Sequence, residues 1–219
     1  MPLDDPLPLF PLGLVLLPGE PVPLHIFEPR YRELVQVCLD ADRPFGIIYA
    51  SEDGLADVGC TARIHKVVAR YDDGRLDILA VGEDRFRRGD LLRGASYLQC
   101  HTEAVHDTEP PDAASPALRE KCIAQHMRLL EIAGEPPRPS LYDRVPEVSF
   151  TVGRNAGLEL PGKQRLLDLR SEAERLAVLT AHFDDILVRL EQARRLAKRA
   201  QGDGRAGEPP ELGGPDDGD

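Results

Sequence analysis

No run of 18 apolar residues occurs anywhere in the chain, so no segment has the length of a membrane-spanning helix. The most apolar stretch, Leu7 to Leu17, is short, broken by Pro8 and Pro11, and preceded by Asp4 and Asp5 rather than by basic residues. That is unlike a secretory leader, and a cytoplasmic protein is expected. Cysteine is scarce and scattered: Cys38, Cys60, Cys100 and Cys122 form no Cys-x-x-Cys pair, which argues against a zinc site and against a thioredoxin-like redox pair. All four read as buried reduced thiols, since a free cysteine behaves as a small hydrophobe. Ser-x-x-Lys and His-Glu-x-x-His are missing too, and with them the spacings of two hydrolase chemistries. Only His101 and His106 lie close together in sequence, and five residues apart on a strand they face opposite sides. No metal, no cofactor and no catalytic residue is therefore expected.

Positive charge is also in short supply. There are 27 Lys and Arg against 38 Asp and Glu, a net charge of −11. The residues after Gln201 hold six acids and Arg205, or −5, which leaves −6 on the remainder. An acidic body repels phosphate backbones and anionic lipid, so membranes are excluded and nucleic acid disfavoured as general partners.

What is present is enough to fill a core: 219 residues, 42% of them apolar, allow one large domain or two small ones. Residues 1–106 read as mostly strand. The apolar runs Pro8 to Leu12, Leu14 to Leu17 and Val22 to Ile26 precede one helix, for which Pro29 suits the first position and Tyr31, Leu34, Val35, Cys38 and Leu39 fall at helical spacing. Phe45 to Ala50 reads as a buried strand. Val58 to Tyr71 and Arg75 to Val81 flank Asp72-Asp73-Gly74, whose Asp-Gly step favours a hairpin. Arg85 to Arg87 and Ser96 to Val105 supply further strands. One helix among many short strands suggests a closed or nearly closed barrel, because closure removes exposed edges.

Residues 107–116, rich in proline and acid, read as a linker. Over 117–200 the period becomes helical: a helix from Ser115-Pro116 with Leu118, Cys122, Ile123, His126, Leu129 and Leu130 on one face, a second over Asp143 to Asn155, a third over Pro161 to Leu169. Ser171 and Glu174 make a capping box for a last helix whose Leu176, Leu179, Phe183, Ile186, Leu190, Ala193 and Ala197 repeat at a 3-4 spacing. That seam either packs on its own domain or joins two copies in a homodimer. Residues 201–219 are Gly, Pro and Asp rich and read as a disordered acidic tail.

Three clusters could carry function. Glu28, Arg30 and Tyr31 stand together where a strand enters the first helix, with Phe10 and Phe27 in the flanking apolar runs. Aromatics and arginine give contact area and directional donors at interfaces, so these residues could read a peptide; the alternative is a salt bridge pinning the helix. Arg85-Phe86-Arg87-Arg88 is a basic patch in an acidic chain, with Arg85 and Arg87 as candidate contacts and a solvated strand edge as the alternative. Gly157 to Gln164 matches a phosphate-binding loop up to its last position, where Gln164 replaces the Ser or Thr hydroxyl that holds magnesium. That segment reads as a helix entry at Pro161, leaving Lys163 solvated.

The order Leu7-Pro8-Leu9-Phe10-Pro11-Leu12, Leu16-Leu17-Pro18-Gly19-Glu20 and Phe27-Glu28-Pro29-Arg30-Tyr31 resembles the opening of the Lon protease N-terminal domain. Phe45-Gly46-Ile47, Val58-Gly59-Cys60-Thr61-Ala62, Asp73-Gly74-Arg75, Gly82 to Arg87, Ser149-Phe150, Lys163-Gln164 with Leu166-Leu167 and Glu174-Arg175-Leu176 extend the likeness to about residue 195. The resemblance implies an α+β protein, a PUA-like β pseudo-barrel followed by a C-terminal α-helical bundle. It also implies a non-catalytic binder of unfolded or tagged client proteins and peptides, working as an adaptor for a separate protease or chaperone. A related domain occurs in cereblon, a substrate receptor of a ubiquitin ligase. The ATPase and Ser–Lys protease domains of Lon have no counterpart in these residues. A PUA-like nucleic-acid or small-ligand binder using Arg85 to Arg88 is the competing expectation.

Overall fold

In the computed structural model, residues 6–203 are described apart from 93, 137 and 144, with no side-chain description for 194 and 197–203. Seven strands and five helices follow one another along the chain: β1 (Leu7–Leu12), β2 (Pro21–Ile26), α1 (Pro29–Asp40), β3 (Phe45–Ser51), β4 (Gly54–Leu55), β5 (Val58–Arg70), β6 (Leu76–Leu92), β7 (Leu98–Ala104), α2 (Pro116–Ile132), α3 (Val148–Gly153), α4 (Leu160–Asp168) and α5 (Glu172–Asp203). Short 3-10 turns occupy Pro111–Ala113 and Pro139–Tyr142.

Five strands close a ring in the order β1, β7, β6, β5, β3 and back to β1. The closing pair, β1 with β3, is parallel. β2 lies outside the ring on the first half of β6, matching Val22 with Ala80 and Leu24 with Ile78. Its alternation of exposed and buried residues is that of a half-buried strand, and its two prolines suit a strand with one unpaired side. The chain is thus α+β, with a β pseudo-barrel followed by helices.

Four segments differ from the sequence expectation. Leu14 to Leu17 is not a strand; it crosses the barrel as an irregular segment whose Val15, Leu16 and Leu17 are core residues. An apolar run cannot say whether its backbone is paired, and here Gly19 and Glu20 hold it by exchanging hydrogen bonds with Gly82 on β6. The strands expected at 75–81 and 85–87 are one 17-residue strand, β6. The helix expected over 143–155 shrinks to α3, and α5 runs on through Asp203. The tail expected over 201–219 otherwise lies outside the described residues.

One apolar cluster runs from Phe10, Tyr31 and Phe45 in the barrel to Phe150, Leu166, Leu179 and Phe183 in the helices. A smaller one, Leu7, Leu9, Ile48, Phe86 and Cys100, fills the other side of β1. All four cysteines are free and buried. Phe86 lies flat against backbone at Gly59, where an added Cβ would come within 2.6 Å of both its ring and the Ile47 carbonyl.

Charged groups lock the helices onto the barrel. Arg154 donates to the Pro18 carbonyl, and Lys163 is not solvated: it meets Glu20 at 2.6 Å, the two side chains being 17% and 19% exposed. The stretch expected as a linker carries the strongest lock. Asp107, 6% exposed, accepts from Arg175 Nη1 and Nη2 at 2.8 and 2.6 Å and from Arg85 Nη2 at 2.5 Å. Arg175 is fully buried, lies over the Phe150 ring, and also reaches Glu172 and Ser149. Arg85 adds bonds to the Leu167 and Leu169 carbonyls.

Candidate functional site

Where β2 ends, Glu28 leads into Pro29, whose fixed φ opens α1. The turn sends Tyr31 inward against β1 and leaves Phe27, Glu28 and Arg30 outside. Tyr31 stacks on Phe10 with ring centroids 4.0 Å apart, and Phe45 stands 6.2 Å behind Phe10. Arg30 lies over the outer face of Tyr31, 4.6 Å from the centroid, and holds Glu28 at 2.7 Å. Burial pushes the Tyr31 hydroxyl above its ordinary range, against the pull of Arg30.

Five of the seven residues expected from sequence therefore surround one depression of about 260 Å³: Phe10, Phe27, Glu28, Arg30 and Tyr31, with Leu12, Leu24, His25 and Ile26 completing its wall. Phe27 is 59% exposed, an exposed ring beside an apolar floor. A second depression of about 180 Å³ shares Arg30 and Tyr31 and is lined on its far side by Leu92 and Ala95 to Leu98. Arg30 and Tyr31 are the ridge between the two.

Sequence reasoning passed over the polar support behind Phe27. His25, 6.0 Å from the Phe27 ring, bonds Asp77 through Nδ1 at 2.5 Å, and the Tyr71 hydroxyl donates to the other oxygen of Asp77 at 2.6 Å. Those bonds, first from Tyr71 and then from His25, hold the Asp77 carboxyl below its usual range. The only signal was a histidine inside an apolar run; its partner lies 52 residues away across the β2 and β6 pairing.

The basic patch does not assemble. Arg85 is a correction: its side chain is buried in the Asp107 network because β6 turns that position toward the helices, so it presents no binding surface. Arg88 is spent on the Leu55 and Ala56 carbonyls and Asp57. Arg87 alone is exposed, beside Asp57, Gln164 and Asp168 around a separate hollow of about 290 Å³. A larger apolar cavity, about 500 Å³, lies away from Phe10, Phe27 and Tyr31, between Pro111, Ala114, Pro116, Val145 and Pro146.

The depression offers aromatic faces, aliphatic walls and one ion pair, an inventory for binding. Among the described residues no three His, Cys, Asp or Glu side chains converge as a metal site, and no helix is long and apolar enough to cross a membrane.

A family profile described as the ATP-dependent protease La (LON) substrate-binding domain matches residues 6–185. The chain is 26% identical over 151 residues to a Lon protease of Parabacteroides distasonis, covering 64% of this chain and 18% of that protein. It is 22% identical over 212 residues to one of Cytophaga hutchinsonii, covering 90% and 26%. With the protein cereblon of Danio rerio it shares 32% over 101 residues, 42% of this chain and 23% of that one. The chain thus spans about a fifth to a quarter of these relatives. Among solved structures it resembles a Lon N-terminal domain protein from Xanthomonas campestris, with TM-score 0.63, 23% identity and coverage of 81% of this chain and 98% of that one. The N-terminal domain of a Mycobacterium avium complex Lon protease superimposes with TM-score 0.62 at 21% identity, covering 83% and 99%.

Proposed function

Because the chain belongs to the LON substrate-binding domain family, we propose that it is a non-catalytic module that holds segments of client proteins in the depression between β1, β2 and α1. The observation that carries this reading is the convergence of Phe10 on β1 with Phe27, Glu28, Arg30 and Tyr31 of the turn into α1 on one hollow of mixed polar and apolar lining, with an exposed aromatic at its lip. Apolar side chains of an unfolded or tagged client would enter the hollow, and Arg30, already oriented by Glu28 and Tyr31, would donate to the client backbone. In the cell such a module would act as an adaptor, delivering clients to a separate protease or chaperone.

The nucleic-acid alternative loses its basis with the burial of Arg85 and the capture of Arg88, since phosphate contacts need clustered free cations. Reduced, carboxymethylated α-lactalbumin, a permanently unfolded protein, is a suitable probe for fluorescence titration. Phe27→Ala should weaken its binding at least fivefold while leaving the melting temperature unchanged, because the ring is exposed. Equal affinity in the variant, or no binding by the wild-type chain, would reject the depression as the client seat.

A further inference from the structure

The groove between α2 and α5 holds a histidine with half its hydrogen bonding left undone. His126 is buried on α2; its ring stacks on Phe183 of α5, centroids 5.8 Å apart, and meets the edge of Tyr142. Nδ1 is bonded to the Tyr142 hydroxyl at 2.9 Å, while Nε2 has no partner. The Thr180 hydroxyl, one turn before Phe183, is likewise buried without one.

We propose that His126 is an acid-responsive latch: protonation of its imidazole releases Tyr142, and with it the segment carrying Val145 and Pro146, from the α2 and α5 groove. A neutral imidazole needs one donor and one acceptor contact and tolerates a missing one at moderate cost; an imidazolium has two N–H donors, and here one would point a charge into an apolar seam. Among the described residues the group whose charge favours the imidazolium is Glu135, and burial outweighs it. Cys122, one turn earlier on α2, is a thiol that burial pushes up to about 12. Tyr142 is neutral, burial raising its hydroxyl. Asp184 on α5 is committed to Lys121 and Gln125, and Glu135, beyond the end of α2, is exposed. Burial accordingly pushes His126 below its ordinary range.

The sign follows. An opened segment lets His126 ionise near pH 6.5, whereas the closed one resists, so the closed state is fully favoured above that pH and loses ground as pH falls below it. Arg119 ties the same segment from the other side through the Tyr142, Val145 and Pro146 carbonyls. Val145 and Pro146 are also one wall of the 500 Å³ cavity. Acid opening would therefore change that cavity and leave the client depression, which shares none of its lining residues, unaltered.

Amide exchange of the full chain, corrected for the intrinsic pH dependence, tests this. The amides of Leu141, Tyr142, Asp143 and Val145 should exchange at least tenfold faster at pH 5.0 than at pH 7.5, and His126→Gln, which keeps a neutral hydrogen-bonding side chain, should abolish the difference. An equal acid response in His126→Gln, or none in the wild-type chain, overturns the proposal. The wild-type imidazole Cε1–H resonance decides independently of any variant's folding: it should titrate in step with the exchange, and an imidazole that stays neutral while the segment opens also overturns it.

Discussion

Replacing Asp107 by Asn tests whether the barrel and the helices are one structure. Within the buried network Arg85 and Arg175 face two buried carboxylates, Asp107 and Glu172, with Glu147 more exposed at 3.7 Å from Arg175. The substitution deletes one of those anions; an Asn Oδ1 can still accept from Arg85 Nη2 and Arg175 Nη1, but its amide donor then faces Arg175 Nη2, which now donates to the other oxygen of Asp107. Water cannot repair the loss, since Arg175 has no exposed surface. Removing one partner of a buried ion pair costs about 3–5 kcal/mol. For a domain of this size each kcal/mol shifts Tm by about 2–4 °C, so urea unfolding and a thermal melt at pH 7 should show the loss and a drop of roughly 6–20 °C. Adding Arg85→Gln should cost less than the two single losses combined, because the second change removes a charge the first has stranded. The network also predicts the pH dependence. Burial pushes the Asp107 carboxyl up, but the bonds and charge of Arg175 and then Arg85 outweigh it and hold it below its usual range. Its contribution is therefore present above about pH 4, the unfolded value, and is lost as pH falls through the lower folded value. A change below about 1 kcal/mol in Asp107→Asn, a size typical of exposed pairs, would show that the network is hydrated in solution and does not join the two parts.

Phe86→Ala should cost about 3–5 kcal/mol in denaturant unfolding, since the ring is 2% exposed; an unchanged midpoint would place it at the surface. Gly59→Ala should destabilise through the same ring and the Ile47 carbonyl, both of which the new methyl group would strike; wild-type stability would mean β5 can shift without cost. Lys163→Ala should lose about 1.5–3 kcal/mol, the scale of a hydrogen bond to a charged group, through Glu20, while magnesium and ATP should produce no thermal shift in either protein. Cys60 and Cys122, both fully buried with their thiols pushed up by burial, should resist a thiol reagent until the protein unfolds, and rapid labelling of the native chain would contradict their placement.

Much of this architecture is local and hence legible. Pro29 opens α1 and Pro116 opens α2 where expected, and the Asp72-Asp73-Gly74 hairpin joins β5 to β6. Ser171 meets the Glu174 amide at the start of α5. The helical spacing of Cys122 and His126 marks a buried face. That Phe27, Glu28, Arg30 and Tyr31 share one depression was readable because they surround one turn. What was not legible depends on partners far along the chain. Arg85 and Arg87 are equivalent as letters in a strand, and only Asp107, Leu167 and Leu169 decide that one is interior. Residues 107–116 look like a linker by composition, because one acid answered by two distant arginines leaves no periodic trace. Lys163 became structural for the same reason: Glu20 lies 143 residues away.

The antiparallel pairing of β1 with β7 has a consequence for biosynthesis. β1 leaves the ribosome about 90 residues before its second neighbour, β7. At ~5–20 residues per second this takes on the order of ten seconds. Throughout that interval Leu7 and Leu9 lack the partners they will meet at Cys100 and Leu98, and the nascent chain carries an adhesive strand before it carries a barrel. A protein proposed to hold segments of other chains would itself, while being made, present an apolar segment.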